Sequence, residues 1–373
     1  MRLAWPCILA ALCTGLVACK KKPAPHTVGL ALDVGGRGDQ SFNDGALRGL
    51  EIMAAGLRYT ARGYERLGEA EYRALLPSDL REMPFQHLAI PEPLVLSGKA
   101  QEDYEPNLQL LVDQGAELVV AVGFMMEPAT RAVSARNPNA RFLLIDSPLL
   151  DASGRPTTAP NVRAVVFREN EGTFLAGVLA GTLTAGKIGF VGGMQLPLIR
   201  KFEAGFRAGV RQANPSAEVL VAYTGTFDDE RKGIEVGHDL YQRGCDIVFH
   251  AAGLDGLGVI KAAQQAGKLV IGVDSDQSHV APGNVLTSMV KHVDVAVYLA
   301  VKDVLEKKFS GGDIVLGLRE GGVGLAPIGG MVPAPRREAI VLELEKLRAQ
   351  IVGGQLAVPS TLDELAKFVA ARP

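Results

Sequence analysis

From residue 28 onward, short apolar runs alternate with stretches whose apolar positions recur every three or four residues. The runs at 28–32, 118–122, 142–145, 162–167, 187–191, 217–222, 247–249, 269–273 and 284–289 are strand-length and bounded by Gly, Asp or Pro. Between them, residues 41–58 place Leu47, Leu50, Met53 and Leu57 on one helical face. Residues 202–213 place Phe202, Phe206 and Val210 four apart. This βαβα rhythm predicts parallel sheets covered by helices on both faces. Nine or more strands are too many for one small sheet, so the pattern predicts two. Residues 59–100 break the rhythm with two Tyr-containing charged stretches followed by Pro77, Pro84, Pro91 and Pro93. They predict a helix and a surface excursion, long for a single connection.

Ser41-Phe42-Asn43-Asp44 has capping-box spacing. The Ser41 hydroxyl is expected to accept from Asp44 N–H, and the Asp44 carboxylate to reach back. That fixes Phe42 and Asn43 in the first turn after a strand and loop, at the carboxyl edge of a parallel sheet. Open α/β sheets bind ligands there.

The amino terminus adds a compartment. Arg2 precedes an apolar stretch at 3–17, too short to span a bilayer comfortably, which ends in Leu16-Val17-Ala18-Cys19. Residues 1–18 read as a lipoprotein signal peptide, Cys19 as the acylated residue, and 19–27, with three lysines and two prolines, as a tether. The expected location is outside the cytoplasm, anchored to a membrane by lipid and facing the periplasm or cell exterior.

Composition then excludes more than it selects. The chain has 373 residues, 47% hydrophobic and 21% charged, enough for two domains. A formal net charge of -2 offers no basic excess for phosphates, so nucleic acid is not an expected partner. Cys7 and Cys13 fall in the signal, leaving Cys245 as the one thiol of the body, expected to be buried and inert. No G-x-x-x-x-G-K-[ST] loop is present, so ATP is not bound by this chain and no cofactor or metal is expected.

Ordered motifs carry a resemblance. Asp33-Val34-Gly35-Gly36 and Asp39-Gln40-Ser41-Phe42-Asn43 open it. Asp103-Tyr104-Glu105-Pro106-Asn107-Leu108, Val122-Gly123-Phe124 and Phe167-Arg168-Glu169 follow. Then come Arg200-Lys201-Phe202-Glu203-Ala204-Gly205-Phe206, Phe227-Asp228-Asp229, Ala251-Ala252-Gly253 and Ile271-Gly272-Val273-Asp274-Ser275-Asp276-Gln277. Over about residues 28–330 the chain resembles the basic membrane protein family, the purine-nucleoside-receptor-type lipoproteins of ABC transporters. The resemblance implies a type I periplasmic-binding-protein fold: two Rossmann-like lobes joined by three crossovers, with ligand in the cleft. The N-terminal lobe is expected at 28–155 plus 280–312 and the C-terminal lobe at 160–278 plus 313–373. Crossovers are expected near 150–165, 275–282 and 310–318, the first on the linker signal Ser153-Gly154-Arg155-Pro156. The implied function is capture of a purine nucleoside by hinge closure and delivery to an ABC permease with separate ATPase subunits, the binding protein acting as a monomer.

A nucleoside offers a flat base and vicinal hydroxyls, which call for aromatic faces, carboxylates and a lysine. Phe42, after a Gly-rich loop at a helix start, is the first stacking candidate. Phe227 is its counterpart on the second lobe. Phe202 competes with Phe227, although its stripe with Phe206 and Val210 equally fits core packing. Asp274 ends the strand at 269–273 and suits ribose hydroxyls, whereas Asp276 suits a cap. Lys291 ends the strand Val285 to Val290 and interrupts an otherwise apolar stretch. Asp33 ends the first strand, where it either contacts ligand or holds the Gly35-Gly36 loop. Asn43 suits a base edge. Asp146 ends another strand and fits scaffolding as well as contact. Ser41, Gly123, Phe124 and Gly253 join the set through the matching motifs. One departure touches selectivity: many family members carry an Asp in the loop after Gly-Phe, aligned to Pro128 here, and the nearest carboxylate is Glu127.

Other readings have weaker signals. Asp33 and Asp39 are too few hard carboxylates for the metal loop of a nucleoside hydrolase, and Ser41 has no nearby His. Arg37-Gly38-Asp39 matches an adhesion tripeptide inside the ligand loop. A repressor would need a DNA-binding headpiece where the export signal stands. A binding protein for another small ligand, such as a sugar, stays open.

Overall fold

A computed structural model of the chain describes residues 27–369 other than 82 and 89. The expected signal peptide and the lipidation at Cys19 lie outside the described residues. In chain order the first lobe takes β1 (Val28–Leu32), a hairpin of β2 (Leu57–Thr60) and β3 (Gly63–Arg66), β4 (Leu94–Ser97), β5 (Leu118–Val122), β6 (Arg141–Ile145) and β7 (Val162–Phe167). The second takes β8 (Lys187–Gly192), β9 (Val219–Tyr223), β10 (Cys245–Ala251), β11 (Leu269–Asp274) and β12 (Val285–Lys291). The chain returns to the first sheet as β13 (Gly312–Leu316) and ends in the second as β14 (Val323–Leu325).

The two sheets have the orders β13-β7-β6-β5-β1-β4 and β14-β12-β11-β10-β8-β9. All pairings are parallel except β12 with β14. Burial explains the apolar runs: every residue of β1 and β5 is buried, as expected for strands covered on both faces. Phe190, Phe206 and Phe249 pack in the second lobe with ring centres 5.0–6.2 Å apart. Cys245 is buried and unpaired, and burial pushes its thiol up to about 11.

The helices are α1 (Phe42–Leu47), continued by a π-helical turn at Arg48–Ala54, α2 (Glu69–Leu75), α3 (Tyr104–Asp113), α4 (Glu127–Arg136), α5 (Glu169–Leu183), α6 (Pro197–Ala213), α7 (Glu230–Gln242), α8 (Asp255–Ala266), α9 (Val293–Leu305), α10 (Ala334–Val352) and α11 (Leu362–Lys367). α5 and α6 pack so closely that a Cβ at Gly209 would run into the Phe174 carbonyl. The first helix stops short of the expected 41–58. Gly56 turns the chain at φ +64°, and Leu57 opens β2 instead of extending the apolar stripe.

The lobe boundaries differ from the sequence expectation. β7 and β13 belong to the first sheet and β12 to the second, so residues 160–167 and 313–316 are not in the C-terminal lobe and 285–291 are not in the N-terminal lobe. The crossovers run from β7 to α5, from β12 to α9, and from β13 to β14. The Ser153-Gly154-Arg155-Pro156 signal makes a local turn. Asp151 Oδ1 accepts from Ser153 N (2.8 Å), Ser153 Oγ (2.6 Å) and Arg155 N (3.0 Å), and the chain then re-enters the same sheet. Turn residues mark a reversal but carry no information about which sheet the next strand joins.

The 59–100 segment is the β2–β3 hairpin, α2, an irregular stretch and β4, an edge strand that the prolines masked. It is fastened to α9: Gln86 N donates to Tyr298 Oη (3.2 Å), which donates to Gln86 O (3.0 Å), and Phe85 meets the Tyr298 ring edge-on at 5.0 Å. Asp79 Oδ2 lies 2.9 Å from Nε2 of His292, the residue between β12 and α9.

Candidate functional site

The carboxyl ends of the two sheets face each other across a cavity with about 550 Å³ of empty space, part of it open to solvent. From the first lobe it is lined by Asp33 after β1, Asp39, Phe42 and Asn43 at the start of α1, Phe124 after β5 and Asp146 after β6. From the second come Leu198, Ile199 and Phe202 of α6, Phe227 after β9, Ala251–Gly253 at the end of β10, Asp274 on β11 and Lys291 on β12.

The loop after β1 is organised by two carboxylates. Asp33 Oδ1 accepts from Gly35 N (3.0 Å) and Asn43 Nδ2 (2.7 Å), so it holds the glycine loop as well as facing the cavity. Asp39, 1% exposed, accepts from Ser41 N (2.9 Å), Asn43 N (2.8 Å) and Asp44 N (3.0 Å). Burial nonetheless pushes its carboxyl up to about 7, with the charge of Asp44 adding to it. Asp39 therefore caps α1, and the expected Ser41–Asp44 capping box does not form. The Asp44 carboxylate instead accepts from Gly38 N and Gln40 N, at 2.9 and 3.1 Å. The same arrangement removes the adhesion tripeptide, since Asp39 is buried and Arg37 pairs with Glu51 at 2.6 Å.

Ser41 does not line the cavity. It is fully buried, and its hydroxyl donates across the lobes to Asp274 Oδ2 at 2.6 Å. Gly123 also stands behind the site. It has φ +116°, and a Cβ there would lie 3.1 Å from Asp33 Oδ2 and 3.6 Å from the Phe42 ring. Only glycine takes that backbone without strain and without crowding the Asp33 carboxylate.

Lys291 sits at the centre, 3% exposed. Its Nζ is 2.7 Å from Asp146 Oδ2, 3.6 Å from Glu169 Oε1 and 3.8 Å from Asp274 Oδ1. It also lies 4.7 Å from the Phe42 ring centre and 5.4 Å from those of Phe167 and Phe202. Burial works against its charge, but Asp146, Asp274 and Glu169 outweigh burial and hold the ammonium above the ordinary lysine value. Burial raises Asp146 to about 6 and also raises Asp274, while Lys291 pulls both back. At neutral pH the Asp146–Lys291 contact is an ion pair.

Asp146 and Asp274 are matching features. Each ends or follows a strand, each is followed by serine, and each has a left-handed backbone, φ +71° and +62°. Such a conformation at a non-glycine residue is strained and clusters at functional sites. The repeated Asp-Ser after an apolar strand is the signal that would have singled out Asp146 alongside Asp274. Four buried oxygens near Lys291 and α1 have no hydrogen-bond partner among the described residues: Asn43 Oδ1, Asp146 Oδ1, Glu169 Oε1 and Asp274 Oδ1.

The aromatic candidates come together. Phe42, Phe124, Phe202 and Phe227 all line the cavity, and Phe124 and Phe227 meet edge-to-face across the lobes at 6.5 Å. Phe202 and Phe227 thus share the site, Phe202 the more deeply buried. Glu127 lies elsewhere. It is buried, its Oε1 accepts from Leu150 N (3.0 Å) and Arg131 Nε (3.4 Å), and it does not reach the cavity.

A profile of the family described as ABC transporter substrate-binding protein PnrA-like matches residues 27–361. The chain belongs to that PnrA-like family. Basic membrane protein A2 of Borrelia garinii subsp. bavariensis is 34% identical over 281 residues, 74% of this chain and 81% of that protein. The CD4+ T-cell-stimulating antigen of Listeria monocytogenes is 31% identical over 359 residues, 91% and 89% of the two chains. An ABC transporter solute-binding protein from Aeropyrum pernix K1 superposes with a TM-score of 0.70 at 26% identity, covering 92% of this chain and 96% of the other. As a PnrA-like substrate-binding protein the chain has the type I periplasmic-binding fold, acts outside the cytoplasm, and binds rather than transforms a small molecule for a transporter permease. No described helix is long and apolar enough to cross a membrane.

Proposed function

We propose that this substrate-binding protein captures a purine nucleoside and hands it to an ABC permease by closing and opening its two lobes, held at the membrane by lipid on Cys19. One observation carries the ligand class: an aromatic-walled cavity whose polar groups are mostly acceptors, three of them (Asn43 Oδ1, Asp146 Oδ1 and Asp274 Oδ1) without a hydrogen-bond partner. Such a site demands a flat, donor-rich, uncharged molecule. In this reading Phe42, Phe124, Phe202 and Phe227 enclose the base. Asp33 and Asn43 meet its edge, Gly253 leaves room for it, and Gly123 supports Asp33 and Phe42 from behind. Asp274, Asp146 and Lys291 take the ribose hydroxyls. Closure buries the ligand between faces from both lobes, the hinge mechanism of two-lobed receptors. The protein acts as a monomer.

A sugar is the second reading. Pro128 stands where many relatives place a carboxylate, and Glu127 is committed to Leu150. Calorimetric titration separates the two, using protein unfolded and refolded to strip bound ligand. Purine nucleosides, pyrimidine nucleosides, free bases and ribose are the titrants. Tight, turnover-free binding of a purine nucleoside is expected. Binding of ribose with silence toward every nucleoside would replace this reading with the sugar one.

A further inference from the structure

The start of α1 is where the first lobe grips the second away from the cavity wall. Ser41 Oγ donates to Asp274 Oδ2 at 2.6 Å and lies 3.3 Å from Val273 O. Ser275 Oγ donates to Ser41 O at 3.2 Å, and Gln277 Nε2 donates to Gln40 O at 3.2 Å. Arg48, further along the same helix, reaches Ser275 Oγ at 3.2 Å. Gln277 is itself fixed: its Oε1 accepts from Val273 N at 2.9 Å and its N donates to Ser288 Oγ at 3.0 Å. Two left-handed residues flank this seam, Gln40 (φ +49°) on the first lobe and Asp274 (φ +62°) on the second. Asp274 has one oxygen on Ser41, while the other, Oδ1, has no hydrogen bond, lies 3.8 Å from Lys291 Nζ and belongs to a residue lining the cavity.

We propose that Ser41 is a positioning residue whose hydroxyl, arriving from the opposite lobe as the cleft shuts, occupies Asp274 Oδ2 and leaves Oδ1 as the oxygen presented to ligand. Asp274 is then a finished ligand group only in the closed molecule. With the lobes apart its Oδ2 faces water. With the lobes together and the Ser41 hydroxyl absent, Asp274 Oδ2 would be buried without its hydrogen bond, leaving the carboxylate only the Lys291 charge 3.8 Å from Oδ1, which opposes closure. Closure, which the ligand-free molecule already samples and ligand stabilises, thereby completes the ligand group, and the hydrogen bond that joins the lobes lies outside the ligand's own contacts. The proposal rests on the cavity being the ligand site, but not on the ligand being a nucleoside.

The test uses the full-length chain in detergent, with inosine as probe, and the variants Ser41→Ala, Asp274→Asn and the double variant. Ser41→Ala is expected to weaken inosine binding about tenfold, the effect of losing one hydrogen bond to a charged group, chiefly through faster dissociation. Its binding should also fall off at a higher pH than wild type, because the hydroxyl that holds the Asp274 carboxyl down is gone. In the Asp274→Asn background the same substitution should add little, since Ser41 acts through Asp274. Unchanged affinity in Ser41→Ala, or losses that simply add in the double variant, would overturn the proposal. Ser41→Cys, similar in size with a weaker donor, should fall between and guards against a folding defect. A ligand-free arm separates this idea from the nucleoside reading: hydrogen exchange in the free chain. Joint loss of protection at 41–44 and 273–277 in Ser41→Ala, with β1 and β8 unaffected, supports the seam even if inosine does not bind. Unchanged exchange in both segments counts against it.

Discussion

At the scale of single residues, Lys291 carries the most consequence. It is one buried ammonium among Asp146, Glu169 and Asp274, with Asp146 closest at 2.7 Å. Removing a partner from a buried ion pair leaves charge without compensation. Lys291→Met should therefore lower unfolding stability by about 3–5 kcal/mol, read by denaturant titration of the ligand-free protein, and a loss under about 1 kcal/mol would contradict the ion-pair assignment. Asp274 and Lys291 were visible in the sequence because each closes an apolar strand. The partnership of Lys291 with Asp146, 145 positions away, was not, because nothing local couples the ends of strands from different sheets. Ser41 shows the same limit from the other side. Its motif position marked it as important, but only tertiary packing shows that its hydroxyl serves Asp274 rather than a cap or the ligand.

At the scale of elements, the 59–100 excursion is a brace on the hinge. Asp79 reaches His292 at the second crossover, His292 meets Asp294 at 3.3 Å, and Asp294 pairs with Arg48 at 2.8 Å. Burial alone would lower the His292 pKa, but hydrogen bonds to Asp294 and Asp79 outweigh it and raise it from 6.5 to about 9. A group with a raised folded-state pKa contributes stability in full below its unfolded value and loses it as pH rises through the folded one. The contribution is therefore complete below about pH 6.5 and lost through about pH 9. Asp79→Asn should lower the melting temperature at pH 6 and leave it unchanged at pH 10. An equal loss at both pH values would show that Asp79 acts without the imidazolium. The excursion was legible as an interruption, whereas its strand β4 was not, because it sits at a sheet edge among prolines.

For the whole molecule, the balance of charge in the cleft makes a prediction about ligands. Asp33, Asp146 and Asp274 face one lysine, so an added phosphate meets net repulsion. A nucleoside 5′-monophosphate should bind at least ~100-fold more weakly than its parent nucleoside, since like charges brought together in a buried site cost several kcal/mol. Side-by-side calorimetry decides it, and equal affinities would mean the phosphate escapes the cleft. Small-angle scattering with and without ligand should show the molecule contracting on binding, and identical profiles would speak against hinge closure.

The sequence by itself determined the α/β class, the strand-length runs and the helix faces, because hydrophobic periodicity is a local property that each segment carries alone. Through its ordered motifs it also pointed to the family and to nine of the eleven proposed ligand residues that line the cavity. The tertiary structure decided which sheet each strand joins, moving β7 to the first lobe and β12 to the second. It also decided which carboxylate caps α1, and that Ser41 and Gly123 stand behind the cavity. These outcomes depend on contacts between segments far apart in the chain, and a strand or a hydroxyl looks the same in sequence whichever distant partner it meets.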